Sequence, residues 1–462
     1  MTGVTDPQTT QTGPAIHPNQ TGMFQDHINH TNATWAESLT ACKFDGVWIA
    51  AGDTKTNFQD DHGPTFKPNP YFTQWVDPEF AQPGAHILLR PDHDQPIVLF
   101  TLQAEDYWHA VAPLPEYLGG SIVTRAFADS TSLTAAAREE TIKGAYAYIG
   151  ETSNNEISGQ LNPTALLNRM DFRRATKTAY EIEIMRRASD IGALGHLAAA
   201  DSFANGGTEF DIHMAYLLAS KQNENELPYG NIVALNEHAA ILHYQLQDRV
   251  HHSAAKSLLI DAGGQYAGYA SDITRTYASE GEVHRDFGDL INAMTAHQKR
   301  ILDSVGTDKS FADLHAYMHR SLCDVLVEAE LVTCSAEEAF DLRINETFCP
   351  HGLGHLLGIQ VHDVGGHLGD AEGTPLPPAE NYPSLRFTRA ITEDQVFTIE
   401  PGLYFIERLL AEQRAKGAPI NWSSVDALQP YGGIRIEDNI RVLAEGIENL
   451  TRDAWQRLTA HG

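Results

Sequence analysis

The chain of 462 residues carries a formal net charge of −29, from 32 basic and 61 acidic side chains. That surplus of acid argues against nucleic acid or an anionic membrane as partner, because either would be repelled. The length allows two or three domains, and no stretch approaches the roughly 20 apolar residues of a membrane span.

Residues 1–22 are rich in Thr, Gln, Pro and Gly and have no apolar run. They read as a disordered tail and not as a signal peptide. From Met23 to residue 172, buried strands are expected at FDGVWIAAG (44–52), PIVLFTL (96–102) and AYAYIG (145–150), between helical patterns. That alternation is the mark of a small α/β domain. Two pieces of it stand out: NFQDDHG (57–63), with Asp60 and Asp61, and EDYWHAV (105–111), with Trp108 among polar residues. On their own they read as a surface loop and a half-buried aromatic. A helical period with Ile182, Ile184, Met185 and Ala188 opens a second domain, 173–462, in which helices alternate with motif-bearing strands. The polar stretch 412–424 reads as a loop or an insertion. The four cysteines, Cys42, Cys323, Cys334 and Cys349, show no CxxC spacing and point to reduced thiols in a cytoplasmic protein. Cys349, between Phe348 and Pro350, reads as a packing residue.

The residues that carry chemistry fall in four places. In LLIDAGGQYAGYASDITRTY (258–277), Asp261 ends an apolar run, Gly263 and Gly264 suit a tight turn, and Asp272 precedes a second strand. A hairpin there would face two carboxylates, although an aspartate at a strand end is more often a turn or cap residue. FCPHGLGHLLGIQVHD (348–363) sets His351, His355 and His362 among glycines. TIEPGLY (398–404) places Glu400 between an apolar run and a Pro-Gly break. GGIRIEDNI (432–440) puts Glu437 on an alternating strand with Arg435 on the same face. Asp261, Asp272, His355, Glu400 and Glu437 make a set of four carboxylates and one imidazole. Such a set suits manganese, cobalt or zinc, and four negative charges balance two divalent cations.

Together with PYGNIVALNEHAAILHY (228–244), HGLGHLLGIQVHDVGG (351–366) and FTIEPGLYFIERLL (397–410), these motifs resemble those of the dinuclear metallopeptidases of the pita-bread fold. The resemblance is closest to the bacterial Xaa-Pro dipeptidases, a subfamily that includes organophosphorus acid anhydrolases, and covers about residues 23–455. It implies an α/β (α+β) protein: an N-terminal ribonuclease-H-like domain, related to that of creatinase, and a C-terminal pita-bread catalytic domain. It further implies two divalent metal ions per subunit, manganese above cobalt or zinc. Asp261 would bind one ion, His355 and Glu400 the other, with Asp272 and Glu437 bridging both. Ions about 3.5 Å apart would clamp and activate one water. By the same resemblance Glu400 is the general acid and base, while His243 and His362 steady the tetrahedral intermediate. Arg435, helped by His351, would bind the free carboxylate of a dipeptide, and Tyr229 and Val361 would line small pockets. For Arg435 the alternative is a salt bridge to a ligand carboxylate. Asp61 and Trp108 match residues that reach from one subunit into its partner's site, which implies a homodimer, with a tetramer as the alternative. The rival functions are an aminopeptidase P, a phosphotriester hydrolase and a pita-bread binding module without metals.

Overall fold

The structure of the protein, a computed structural model, describes residues 18–103, 113–140, 144–151, 157–251, 255–279 and 285–460. The N-terminal part is a helix, Pro18–Cys42, and a mixed sheet. Its strands are β1 (Gly46–Ala50), β2 (His86–Leu89), β3 (Ile97–Leu102), β4 (Val123–Phe127), β5 (Tyr146–Ile149) and β6 (Gln160–Leu161). Among the described residues they run in the order β4-β3-β2-β1-β5-β6. β1, β2 and β3 are antiparallel neighbours, and the pairs β3–β4, β1–β5 and β5–β6 are parallel. A mixed sheet with helices beside it is the small α/β domain expected. Both faces of the central strand β1 are covered, so it needs apolar residues at every position. Val47 and Ile49 of β1 enter one core, while Trp48 and Ala50 enter the other beside Leu133 and Ala137 of the helix Ser130–Glu140. The first core continues into the catalytic domain through Leu357, Val396 and Leu450. Residues 18–22, assigned to the tail on composition, open the first helix.

In the C-terminal part the strands are β7 (Ile232–Leu235), β8 (Ser257–Asp261), β9 (Gln265–Tyr266), β10 (Tyr269–Ala270) and β11 (Thr274–Ala278). They are followed by β12 (Val396–Ile399), β13 (Gly402–Tyr404), β14 (Gly433–Arg435), β15 (Asp438–Val442) and β16 (Ile447–Asn449). One sheet has the order β11-β8-β7 and another β12-β15-β16, while β13 pairs with β14. The bridge Thr274↔Glu437 stitches them together at the centre. Helices pack outside. Ala179–Ala204 starts with a capping box of Thr178 and Glu181 and lies against Glu209–Ser220 and Leu450–Thr459. Arg285–Asp303 and Phe311–Glu328 cover another apolar face.

Two further sequence expectations need correction. The chain does not reverse at Gly263 and Gly264. It reverses at Ala267 and Gly268, whose φ values of 47° and 84° make the two-residue turn between β9 and β10. Gly263 and Gly264 are required for close approach, since a Cβ would lie 2.0 Å from the Ser271 carbonyl oxygen and 2.3 Å from that of Ala188. The polar stretch 412–424 is not a single loop but the alternative, an insertion between β13 and β14: it holds parts of two helices, Glu407–Lys416 and Trp422–Leu428, joined by 417–421. The first buries only Leu410, so its composition looks like that of a loop.

Candidate metal centre

The strand ends bring the acidic residues together. Asp261 closes β8 and is registered against Thr274 of β11, two residues after Asp272. The Tyr229 hydroxyl lies 2.7 Å from Asp261 Oδ1 and 2.5 Å from Asp272 Oδ1. Glu400 follows β12 just before Pro401, and Glu437 sits between β14 and β15, held to β11 by its backbone. His355 Nε2 points at Asp272 Oδ2 (3.4 Å) and Glu400 Oε1 (3.6 Å). Among the described residues, Asp272, His355 and Glu437 present ligand atoms within 4.8 Å of one another.

Beside them Arg435 is buried, and its Nη2 donates to Asp261 Oδ2 (2.6 Å), Nη1 to the Tyr404 hydroxyl (2.9 Å) and Nε to Thr274 Oγ1 (3.1 Å). The Tyr404 hydroxyl also contacts His351 Nε2 at 2.9 Å. The His362 ring stands edge-on to His355 with centroids 4.4 Å apart. His243, His362, Val361 and Tyr229 line a cleft of about 1420 Å³ together with Asp261 and Asp272. Its other wall comes from the N-terminal domain, with Phe66, Pro78 and Tyr117. Asp61 lies on an exposed loop and is not part of the cleft wall. Trp108 falls outside the described residues.

Three polar residues on the strands that flank the ligands escaped the sequence reading. Thr274 Oγ1 donates to Glu437 Oε2 (2.6 Å), Thr398 Oγ1 lies 3.4 Å from Glu400 Oε1, and Asn439 Oδ1 accepts the Asp272 N–H (3.0 Å). Each stands two positions from a ligand: Asp272, Glu400 and Glu437 respectively. The strand period places such neighbours on the same face, and that signal could have found them. Tyr404, inside TIEPGLY, is the fourth.

Crowding four carboxylates into a buried place has an electrostatic cost. Burial pushes Asp261 up against the pull of Arg435, and pushes Glu400 up to about 7. It lifts Glu437 well above the usual carboxylate range, with repulsion from Asp272 and Glu400 adding to the effect. Burial acts the same way on Asp272, but the hydrogen bond and charge of His355 outweigh it and hold that carboxyl low. One guanidinium and one imidazole cannot balance this group. A set of oxygen donors with one nitrogen, short of positive charge, fits divalent cations.

Fold and site together define a two-domain, metal-dependent hydrolase. Residues 183–444 match the model of metallopeptidase family M24, and residues 22–172 match that of the Xaa-Pro dipeptidase N-terminal domain. The chain belongs to metallopeptidase family M24. It is 43% identical over 441 residues to an Xaa-Pro dipeptidase of Aeromonas hydrophila, covering 94% of this chain and 98% of the relative. To Xaa-Pro dipeptidase 2 of Idiomarina loihiensis it is 39% identical over 441 residues, covering 95% and 99%. Among solved structures, aminopeptidase P from Escherichia coli with the inhibitor Pro-Leu has a TM-score of 0.72 at 22% identity, covering 94% of this chain and 95% of that one. That likeness is one of fold.

Proposed function

We propose that this chain is a metal-dependent dipeptidase that cleaves the bond before proline in Xaa-Pro dipeptides. The observation that carries the reading is the clustering of Asp261, Asp272, His355, Glu400 and Glu437, the first two of them on the cleft wall, in a chain 43% identical to an Xaa-Pro dipeptidase. These five residues would hold two divalent cations, Asp272 and Glu437 bridging them, and manganese is the ion proposed. Bound there, the cations would supply Lewis acidity, lowering the pKa of a water and polarising the scissile carbonyl. Glu400 takes the proton of the attacking water and passes it to the proline nitrogen as the C–N bond breaks. His243 and His362 donate to the oxygen that gains negative charge as the carbonyl carbon becomes tetrahedral.

Arg435 and His351, tied together through Tyr404, form the end of the site that receives the substrate carboxylate. Tyr229 and Val361 line the pockets, and Asp61 and Trp108 complete the site of a second subunit in a homodimer. The domain boundary is placed at residue 172, and the four unbridged cysteines favour the cytoplasm.

The test is an activity panel of Xaa-Pro dipeptides, Xaa-Pro tripeptides and a phosphotriester, each with manganese, cobalt and zinc. Hydrolysis confined to dipeptides is expected. Tripeptide turnover at a comparable rate would make the chain an aminopeptidase, and no turnover in any arm would end the enzymatic reading.

A further inference from the structure

The His243 side chain is exposed on the cleft wall, inside a segment that runs from 236 to 248 and holds a single 3-10 turn, Asn236–Ala240. A donor to a developing oxyanion must be held in place before the reaction, and exposed loops do not hold side chains well. What holds this loop lies beneath it. Glu209 opens the helix Glu209–Ser220 and is 0% exposed. Its Oε1 accepts from the Leu235 N–H (2.9 Å) and from His238 Nδ1 (2.7 Å). Its Oε2 accepts from the Tyr244 hydroxyl (2.7 Å) and from the Asp248 N–H (2.7 Å).

We propose that Glu209 is a positioning residue for His243. The proposal rests on the oxyanion role given to His243 above. One carboxylate grips the loop at its entry (Leu235), its middle (His238 and Tyr244) and its exit (Asp248). The exit is also tied to the helix by the Phe210 N–H on the Asp248 carbonyl (3.2 Å). Tyr244 follows His243 directly, is buried, and stacks on His238 at 4.4 Å and 21°. A carboxylate accepts and never donates, and its four lone-pair sites here meet four donors. The positive end of the helix favours the negative charge. An amide of the same shape cannot replace it, because its NH₂ would face two donors.

The experiment measures kcat, KM and metal content on alanyl-proline for Glu209→Gln and for Tyr244→Phe, which removes one hydroxyl and keeps the ring. Each is made in the native and the His243→Ala backgrounds. In the native background kcat should fall by about tenfold to a hundredfold for Glu209→Gln, and less for Tyr244→Phe. KM and metal content should hold. In the His243→Ala background neither substitution should cost more, because the group they position is gone. Equal losses in both backgrounds, or a loss confined to KM or metal content, would overturn the assignment. If Glu209→Gln does not fold, Tyr244→Phe decides by the same comparison. A normal kcat for His243→Ala alone would instead remove the oxyanion role on which the proposal stands.

Discussion

Among the site carboxylates described above, Asp272 is the one held low, and it touches both Tyr229 and His355. In the proposed centre it would be shared by both cations, so removing its charge would weaken their hold. Asp272→Asn should lower the metal content and reduce activity by orders of magnitude, as elemental analysis and dipeptide assays would read. Chelation of the native enzyme should abolish activity and added manganese restore it; a chelated sample that is free of metal yet active would refute the centre. Arg435 poses a different question, because its guanidinium is engaged with Asp261 and Tyr404. Arg435→Lys keeps the charge and loses the planar fork. If the fork also receives the substrate, kcat/KM should drop about tenfold or more for a free dipeptide and much less for its C-terminal amide. Equal losses would leave Arg435 with the support of Asp261 alone.

At the scale of elements, one buried ion group ties the start of the second domain to the histidine-bearing segment. Arg174 ends the helix Thr164–Arg174, and Lys177 precedes the helix Ala179–Ala204. Both meet Asp363, Lys177 Nζ at 2.9 Å, and Arg174 also donates to Gln360 Oε1 at 2.6 Å. Asp363 directly follows His362, so this clamp orients the segment that carries Gln360, Val361 and His362 along the cleft. Burial would raise the Asp363 carboxyl, but Arg174 and Lys177 outweigh it and hold it low. Asp363→Asn strands two buried cations and should cost about 3 to 5 kcal/mol in urea unfolding at neutral pH. The folded pKa is depressed, so this contribution is present above the unfolded value of about 3.9 and is lost as pH falls through the folded one. The gap between native protein and variant should therefore narrow in acid. A gap that stays constant down to pH 3 would count against the clamp.

For the whole molecule, the cleft of about 1420 Å³ exceeds the roughly 300–1,000 Å³ that encloses a small ligand, so a dipeptide does not fill it. Selection by size then needs closure from elsewhere. A second subunit supplying Asp61, to meet the substrate ammonium, would provide it. Asp61→Ala should raise KM for dipeptides and leave metal content alone. Mixing Asp61→Ala subunits with Glu400→Gln subunits gives heterodimers in which one site has both intact sets, and activity should partly return. Heterodimers that form without recovery would refute the shared site.

Strands such as β1, β3 and β5, and the residues that gather around Asp272, were legible in the chain, because both are written in short windows. Val47 to Ala50 is apolar at every position, as a strand buried on both faces must be, and Asp261 and Glu400 each close an apolar run. The helix Glu407–Lys416 was not legible, since a single buried leucine leaves no helical stripe to read. Nor was the reversal at Ala267, where Gly263 and Gly264 offered a more conspicuous turn and instead serve close packing. The amino-acid sequence by itself determined which residue types could gather around cations, and roughly on which strands. Only the tertiary structure decided that Arg435 meets Asp261 across 174 positions and that Glu209 grips the loop carrying His243. The physical reason is range. Side-chain periodicity is a property of a few consecutive residues, whereas a hydrogen bond between distant ones exists only once the intervening chain has packed.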